Sequence, residues 1–592
     1  MRSRLTFPVV LAMWTAAAAE PLSVGKWLVD LGRDYPLSRQ ASVSDVDAEL
    51  TLLFMEAASR AEPTLAEAYL WQSDMLSALG RMADARRALG EYVTREPADA
   101  QAHLDWIEMS IAELQTAEAR ADFCRQTLSR KGLSREARSD LHRRLAEFHW
   151  NRGQLQEAEQ AALAALEHNA FNLTARQLLD LARGVADTPL RRVTWLVDVL
   201  RIAPASAVTA RQLGDELVAV GLYSEAARFY AHAAAMYQLV PPGAVPADLL
   251  YAQADLLLER GELDQARERI AAARREDPLG IEGHRLAVRL ARREANTQDA
   301  QAEVSKLEST WKQILTRAGS QLDPMIGAEM AWSFVHDLGR ADEARRLATA
   351  VLADGPNVVG QRALGAALRE LKEYDAARSQ LEPIAGDDLW AAIELARTLH
   401  EKGDQSEASR RLAALATRPA STQQRRTLAA LGEDWGVTLP AEYLGIAEIR
   451  AALQALPADV LKFPSRPEDY LQVSVQLQRT ELPPAEPWLC TIELRNIGTF
   501  PIVLGEQAML TPKLLFSIQT SGTITRTSGP TLRVRMNRGL SLQTGETMRY
   551  TQTLSIGPLR GSMIGTPQLA HQVEIAGVLD PASLLGGRLT VD

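Results

Sequence analysis

The chain has 592 residues, of which 46% are apolar and 24% charged, and its formal net charge is −10. This length is large for one compact core and predicts several domains or a repeat array, while the ordinary composition argues against wholesale disorder. The acidic excess falls on residues 20–465, which hold 65 acidic and 52 basic side chains. An acidic surface does not suit nucleic acid, whose phosphates need basic partners.

Residues 1–19 have the three parts of a secretory signal peptide. Arg2 and Arg4 give a positive start, residues 5–14 form a short apolar core, and the alanines of 16–19 suit cleavage before Glu20. The alternative, a membrane anchor, would need a longer apolar run. We therefore expect an exported protein, periplasmic or extracellular. No later stretch holds about 20 consecutive apolar residues, so no transmembrane segment is predicted.

A preceding cap is expected before the main helical region. Residues 20–65 contain two stretches with helical periodicity, 24–34 and 45–60. The end of a repeat array must cover the exposed apolar face of its neighbour, so a degenerate first unit is predicted here.

A spaced glycine–alanine pattern then organises residues 66–419. Gly221 is followed by Ala226, and Gly261 by Ala266, in each case with an apolar residue directly after the glycine or one position later. The glycine is expected to end one helix in a left-handed cap, where a Cβ would be penalised. The alanine lets the next helix cross closely. The same pair recurs at Gly80 and Ala85, Gly153 and Ala158, Gly339 and Ala344, and Gly403 and Ala408, and without its glycine at Lys372 and Ala377.

The spacing of these units identifies a family resemblance. Pro63 and Pro97 lie 34 residues apart, and a 34-residue helix–turn–helix unit is the tetratricopeptide signature. Over about residues 24–456 the chain resembles a tetratricopeptide-repeat protein. The resemblance implies an all-α, right-handed superhelical solenoid with about ten helix pairs in 66–419. The units are expected to begin near Ala66, Ala100, Ser139, Leu173, Ala207, Ala247, Ile281, Met325, Val358 and Leu389.

Two interruptions and a terminal cap complete the helical region. The repeat phase slips at 240–246, which is rich in proline, and again at 316–324. Residues 420–465 are expected to form C-terminal capping helices, around 423–435 and 441–456, and a linker. The prolines near 463–467 then end helical character and mark a domain boundary.

Residues 466–592 have strand character instead. Leu471, Val473, Val475 and Leu477 alternate with polar residues, and further strands are predicted at 488–498, 514–520, 532–536, 548–556, 568–575 and 588–591. Short strands separated by turns favour a small all-β antiparallel sandwich. The turns at 494–498 and 542–547 loosely resemble those of bacterial immunoglobulin-like modules.

No catalytic or metal-binding motif stands out. The sequence lacks zinc-protease, Walker A, serine-hydrolase and EF-hand signatures, so neither an enzyme nor a cofactor is expected. His142 and His149 could share a helix face, but a metal site needs more ligands. Cys124 and Cys490 are expected to be separate buried thiols. His336 and His400, three residues before cap glycines, suit the negative end of a helix dipole, although His400 could also line a groove.

The resemblance points to a binding surface rather than an active site. In this family the first helix of each unit lines a concave groove, at the second, fifth, ninth and twelfth positions. Carried over unit by unit, these positions give Arg143, Glu147, Trp150, Arg211, Asp215, Tyr251, Asp255, Leu258, Arg362, Arg369, Trp390, Ile393 and Arg397. Mixed charges with interleaved aromatics suit an extended peptide or a partner helix, against the alternative of a merely solvated face.

Two functional hypotheses follow. The first is an exported, non-enzymatic scaffold whose groove binds a protein or peptide partner during assembly of an envelope or secretion complex, as the resemblance implies. The second places the activity in the C-terminal sandwich, as a surface adhesion or carbohydrate-binding module. The sequence leaves the identity of the partner and the oligomeric state open.

Overall fold

The computed structural model describes residues 23–37, 45–239, 243–318, 322–440, 443, 445–477, 479, 481, 488–505, 508–511, 513–522, 526–535, 541–554 and 571–579. The predicted signal peptide, residues 1–19, and the predicted strand 588–591 lie outside these residues. The described part is mostly helical and ends in small antiparallel sheets.

The described residues form 25 α-helices. The helices are α1 Val24–Leu37, α2 Asp45–Ala61, α3 Ala66–Ala78, α4 Met82–Arg95, α5 Ala100–Ala112, α6 Ala117–Leu128, α7 Arg135–Asn151, α8 Leu155–His168, α9 Leu173–Ala182, α10 Pro189–Ile202, α11 Ala207–Ala219, α12 Tyr223–Gln238, α13 Ala247–Arg260, α14 Leu263–Glu276, α15 Ile281–Arg293, α16 Thr297–Ala318, α17 Pro324–His336, α18 Ala341–Ala353, α19 Val358–Glu370, α20 Tyr374–Leu381, α21 Leu389–Lys402, α22 Gln405–Leu415, α23 Thr422–Trp435, α24 Ile446–Gln454 and α25 Ala458–Lys462.

Eight strands follow the helices. The strands are β1 Leu471–Leu477, β2 Leu489–Asn496, β3 Ile502–Val503, β4 Lys513–Gly522, β5 Arg526–Arg535, β6 Ser541–Leu542, β7 Thr547–Thr553 and β8 His571–Leu579. They form three sheets with antiparallel pairing, in the orders β1-β2-β7, β3-β6 and β5-β4-β8. The small antiparallel β region is thus confirmed, while its immunoglobulin-like sandwich arrangement stays a prediction.

The chain divides into two compact units. Unit 1 comprises Met1–Ala186, Arg201–Ala205 and Pro457–Asp592, and unit 2 comprises Asp187–Leu200 and Ser206–Leu456. In unit 1, successive helices from α1 to α9 pack on one another, with a core that includes Leu141 and Ile107. In unit 2, α11 to α22 pair in the same way, α11 with α12, α13 with α14, and so on to α21 with α22.

The predicted cap chemistry is present. Gly221 and Gly261 adopt φ angles of 86° and 76°, in the left-handed region that favours glycine. Where the pattern lacks its glycine, Lys372 itself adopts a φ of 63°, so the turn geometry is kept at the expense of backbone strain. The helix pairing therefore imposes the left-handed turn. Glycine adopts this conformation with the least backbone strain, but another residue can occupy the position.

The alanines of the pattern lie at the helix crossings. Ala226, Ala266 and Ala344 are all 0% exposed, as close crossing requires. Gly365, seven residues before the turn at Lys372, extends the same principle, because a Cβ at this position would overlap the side chain of Leu381 on α20. Small residues thus fix the distance between the two helices of a pair.

The first helices begin where the repeat spacing predicts. Nine of the ten begin at the predicted residue or one position before it; the exception, α7, begins at Arg135, four residues before Ser139. The phase slip at 316–324 has a structural origin, since α16 runs for 22 residues, well beyond the 13 or 14 of most neighbours. The backbones of α16 and α17 make little direct contact, and the two helices pack through side chains such as Trp311, whose Nε1 donates to Ser333 Oγ at 3.1 Å.

The β region contains a buried polar contact between its predicted turns, and both cysteines are buried as predicted. Asn496, fully buried, donates from Nδ2 to the carbonyl oxygens of Phe500 and Leu542, at 2.8 and 2.9 Å, and so ties together the two predicted turns. Cys124 and Cys490 are both free and buried, and burial raises their thiol pKa values to about 11 and about 12. None of the described helices combines the length and apolarity needed to cross a membrane.

Candidate partner-binding face of unit 2

The candidate site is the surface formed by the first helices of the pairs in unit 2, α11, α13, α15, α17, α19 and α21. We call this surface the first-helix face. The side chains predicted to line it come from the second, fifth, ninth and twelfth residues of each repeat, which share one side of a helix because three- and four-residue steps return to the same side. The face has three parts, an ion-pair network, a contact with α23 and an open pocket.

The ion-pair network joins α19 and α21. Glu394 is fully buried and accepts from Arg369 Nε and from Arg397 Nη1, each at 2.9 Å. Arg369 also reaches Glu401 at 2.6 Å and Glu370 at 2.7 Å. Such a buried carboxylate is tolerated only because several cations surround it. The network therefore fixes α19 against α21.

Aromatic rings extend the network to α17. Trp332 packs against Trp390 with ring centroids 5.5 Å apart and against His336 at 4.0 Å. The guanidinium of Arg362 lies 4.4 Å from the centre of the Trp332 ring and pairs with Asp388 at 3.1 Å. Arg362 and Arg369 are 9% and 6% exposed, so both predicted groove arginines are part of the packing between neighbouring helix pairs of unit 2.

The pKa values in the network follow from burial and charge. Burial opposes ionisation of Glu394, but His336, Arg369 and Arg397 outweigh it and hold its pKa below the usual value. Burial lowers the pKa of His336, with Glu394 acting in the opposite direction and the two arginines reinforcing the shift. At neutral pH the network is thus built around an ionised carboxylate.

The helix α23 crosses to the other end of the face. Its Thr422 hydroxyl donates to Asp255 and its Arg426 donates to Glu259, both on α13. Thr422 and Arg426 are one helical turn apart, as are Asp255 and Glu259, so the two helices match in register. The amide of Ala420 and the guanidinium of Arg425 both donate to the carbonyl oxygen of Ala219, the former at 2.8 Å.

The same helix is anchored at the end of unit 2 by apolar contacts. Leu428 is 3% exposed and packs in the cluster of Leu389 and Leu412. Trp435 stacks on His400 with ring centroids 4.2 Å apart and an angle of 2° between the rings. Helix α23, which lies in the region predicted to form the C-terminal cap, therefore packs on α21 and α22 and makes polar contacts with α13. His400 serves this packing rather than an open groove.

An open pocket lies where α15, α16 and α17 meet. It has a volume of about 370 Å³ and is lined by Leu279, Ile281, Glu282, Arg285, Trp311, Ile314, Met325, Ile326 and Glu329. Met325 and Ile326 are 55% and 42% exposed, although both are large and apolar. The long α16 supplies one wall through Trp311 and Ile314. Pockets of this size and apolar lining are the usual form of ligand and side-chain binding sites.

Several predicted groove residues do not form an open surface. Leu258 and Ile393 are 0% exposed and belong to the core, because the helix faces turn inward at those positions; as groove residues they are corrected. Tyr251 is 9% exposed, and burial together with Asp277 raises its pKa to about 12. Trp390 is half-buried in the aromatic cluster.

The remaining predicted residues are mostly paired with near neighbours. Arg211 pairs with Asp248 and Asp215, and Asp215 accepts from the hydroxyl of Tyr230 at 2.6 Å. In unit 1, Arg143 pairs with Asp140 at 2.7 Å and with Glu147 at 3.3 Å. Trp150 packs on the cluster that contains Ala146 and Leu178. These residues are not brought together with the pocket.

Sequence reasoning missed the pocket although the same rule points to it. In the Ile281 unit the second and fifth positions are Glu282 and Arg285, and in the Met325 unit they are Ile326 and Glu329. All four line the pocket. The phase slip between these two repeats was the available signal that their first helices pack differently from those of the repeats that follow.

Metal chemistry receives no support from the described residues. Among them, no group of three or more histidine, cysteine, aspartate or glutamate side chains is placed to hold an ion. His142 stacks on His168, and His149 Nδ1 lies 2.8 Å from the side-chain oxygen of Gln154. His142 and His149 thus have separate local partners.

Comparison with known proteins gives structural likeness only. No protein-family model matches the chain, and no curated protein matches it. The chain is similar to a chain of the APC/C hetero-tetramer Cut9–Hcn1, at 16% identity over 65% of this chain and 83% of that chain, with a TM-score of 0.27. Yeast Tom70 is 15% identical over 70% of this chain and 89% of its own, with a TM-score of 0.23. A tetratricopeptide repeat protein from Parabacteroides merdae is 12% identical over 56% of this chain and 98% of its own, with a TM-score of 0.24. TM-scores and identities this low carry no argument about this chain. The helix-pair architecture is therefore inferred from the packing of its own helices.

Proposed function

We propose that the chain is an exported, non-enzymatic scaffold that binds a protein or peptide partner through the first-helix face of unit 2, in the assembly of an envelope or secretion complex. The observation that carries this proposal is the open apolar pocket at α15–α17. Met325 and Ile326 stay exposed there, whereas most neighbouring charged groups of the face are paired. Apolar side chains exposed together at a pocket are typical of an interaction site.

Two further features support the scaffold. The face already holds a helix, since α23 docks on α13 through matched polar contacts. Export is supported by the leader pattern of residues 1–19, and export in turn favours envelope or secreted partners. The immunoglobulin-like sandwich proposed for 466–592 would provide a second contact.

The test is site-specific photocrosslinking in the source cells. A photoreactive phenylalanine analogue at Met325 should give one discrete adduct, identified by mass spectrometry, because this position borders the pocket. The matched control is Val208, 56% exposed on α11 and away from the pocket. The adduct at Met325 should be lost when Ile326 is changed to lysine. Identical adducts at both positions, or an adduct that survives Ile326→Lys, would contradict the proposal.

The alternative activity in the C-terminal strands is tested separately. If the β region binds carbohydrate, the full chain should bind a glycan array, and Ile326→Lys should leave that binding unchanged. A clean array removes the alternative.

A further inference from the structure

The charged rim of the pocket is electrostatically unbalanced. Glu282 Oε2 lies 3.7 Å from Arg285 Nη1, but Arg285 has a closer partner, Asp337, at 2.7 Å. Glu329 Oε1 lies 3.8 Å from Arg362, and Arg362 likewise has a closer partner, Asp388, at 3.1 Å. Each neighbouring arginine is therefore held mainly by another carboxylate.

The two rim glutamates are accessible to a partner. Their side chains are 47% and 43% exposed, in contrast to the fully buried Glu394. Neither has a neighbouring cation of its own at hydrogen-bond distance among the ion pairs of the described residues. A cation brought between them would therefore form charge-assisted contacts that the folded chain does not already make.

The pocket below the rim selects for apolar character. Ile281, Trp311, Ile314 and Met325 line it, and a buried indole can attract a cation held over its face. An isolated ammonium would lose hydration in such a lining, whereas a long aliphatic stem that ends in a charge would not. The combination of an apolar floor and an anionic rim is thus complementary to a basic side chain and its apolar neighbours.

We propose that this pocket is the docking site for a partner segment in which lysine or arginine alternates with apolar residues. The apolar side chain fills the space between α15 and α17, and the adjacent basic side chain pairs with Glu282 and Glu329. This inference rests on the proposed function and specifies the chemistry of the partner. The acidic excess of residues 20–465 acts in the same direction, because it raises the encounter rate with basic segments.

The experiment uses three fluorescent decapeptides and the full chain at physiological salt. One peptide alternates leucine and lysine, one leucine and glutamate, and one serine and lysine. Fluorescence anisotropy should show that the leucine–lysine peptide binds at least about tenfold more tightly than either control, because both the apolar and the cationic contact are needed.

Charge reversal gives the decisive variant. Glu282→Lys combined with Glu329→Lys should weaken binding of the leucine–lysine peptide at least about tenfold and favour the leucine–glutamate peptide. The matched control is Asp264→Lys with Glu268→Lys, which makes the same change of charge on exposed positions of α14 and should leave the affinity within about twofold. Circular dichroism verifies that both double variants are folded.

The outcomes separate this inference from the proposed function. Equal binding of the lysine and glutamate peptides, no binding of any peptide, or equal losses in both double variants would overturn the basic-segment assignment. If the photocrosslinked partner at Met325 then proves to be acidic or uncharged at the contact, the scaffold function stands while this inference falls.

Discussion

Two neighbouring parts of one face use the same repeat positions for opposite purposes. At α19, the fifth and twelfth positions supply Arg362 and Arg369, which pair with Asp388 and with the buried Glu394, and α19 and α21 close together. At α15 and α17, the second and fifth positions supply carboxylates and an isoleucine that border an open pocket. The open pocket lies beside the long α16, which supplies Trp311 and Ile314 to its wall. The same repeat position can therefore serve the packing of the chain in one place and border an open pocket in another, depending on how the neighbouring helices pack.

The strongest test of this contrast is Glu394→Gln. The change keeps the shape of the side chain but leaves Arg369 and Arg397 without their central counter-charge. We expect unit 2 to lose about 3–5 kcal/mol of unfolding free energy, as for other broken buried pairs. Urea denaturation, followed by hydrogen exchange in α19 and α21, measures the effect.

Glu401→Gln provides the matched control for that variant. Glu401 pairs with the same Arg369 but its side chain is 37% exposed, so its loss should cost no more than about 1 kcal/mol. Equal losses in the two variants would mean that burial does not distinguish the closed part of the face.

The closed part should also be sensitive to added volume. Gly365→Ala places a Cβ against Leu381 and should destabilise the α19–α20 pair by about 1–3 kcal/mol, the range for overpacked interiors. Gly386→Ala is the control, because a Cβ there meets no atom within 4 Å and its φ is not left-handed. Denaturation midpoints that move together would show that helix spacing does not depend on Gly365.

The histidine of the network predicts a smaller, pH-dependent effect. The folded pKa of His336 lies below its ordinary value of 6.5, so the unfolded chain takes up a proton first and stability should fall as the pH drops below 6.5. In His336→Gln this part of the loss should disappear. The loss below pH 4.5, where protonation of Glu394 with its lowered pKa becomes costly, should remain. Unfolding free energies from pH 7.5 to 4 test both windows, and an unchanged slope between pH 6.5 and 5 would refute the assignment.

The open part should tolerate polar substitution. Met325→Ser with Ile326→Ser removes exposed apolar groups and should change the unfolding free energy by no more than about 0.5 kcal/mol per site. Thermal denaturation beside the unaltered chain provides the measurement. A combined loss of more than about 2 kcal/mol would place these side chains in the core and close the pocket.

The sequence predicts the local architecture better than the site. Cap glycines and crossing alanines identify the helix pairs because they act within one repeat, and Ala226 and Ala266 lie at their predicted crossings. The groove positions at Leu258 and Ile393 fail because a family rule for exposure ignores how far each helix rotates. The contact between Thr422 and Asp255 joins residues 167 apart in sequence, and no repeat spacing indicates it. The pocket takes part of its wall from the long α16, which the sequence shows only as a slip of phase.

The closure of α23 onto α13 changes how unit 2 should come apart. An open row of repeats can fray from its last member inward, because each member contacts only its neighbours. Here α23, the helix that follows the last pair, is held both by α21 and, across four intervening repeats, by α13. Its release requires two distant attachments to break together. The last repeats should therefore unfold cooperatively with the earlier ones, and a loss of stability at either attachment should lower the stability of the repeats between them.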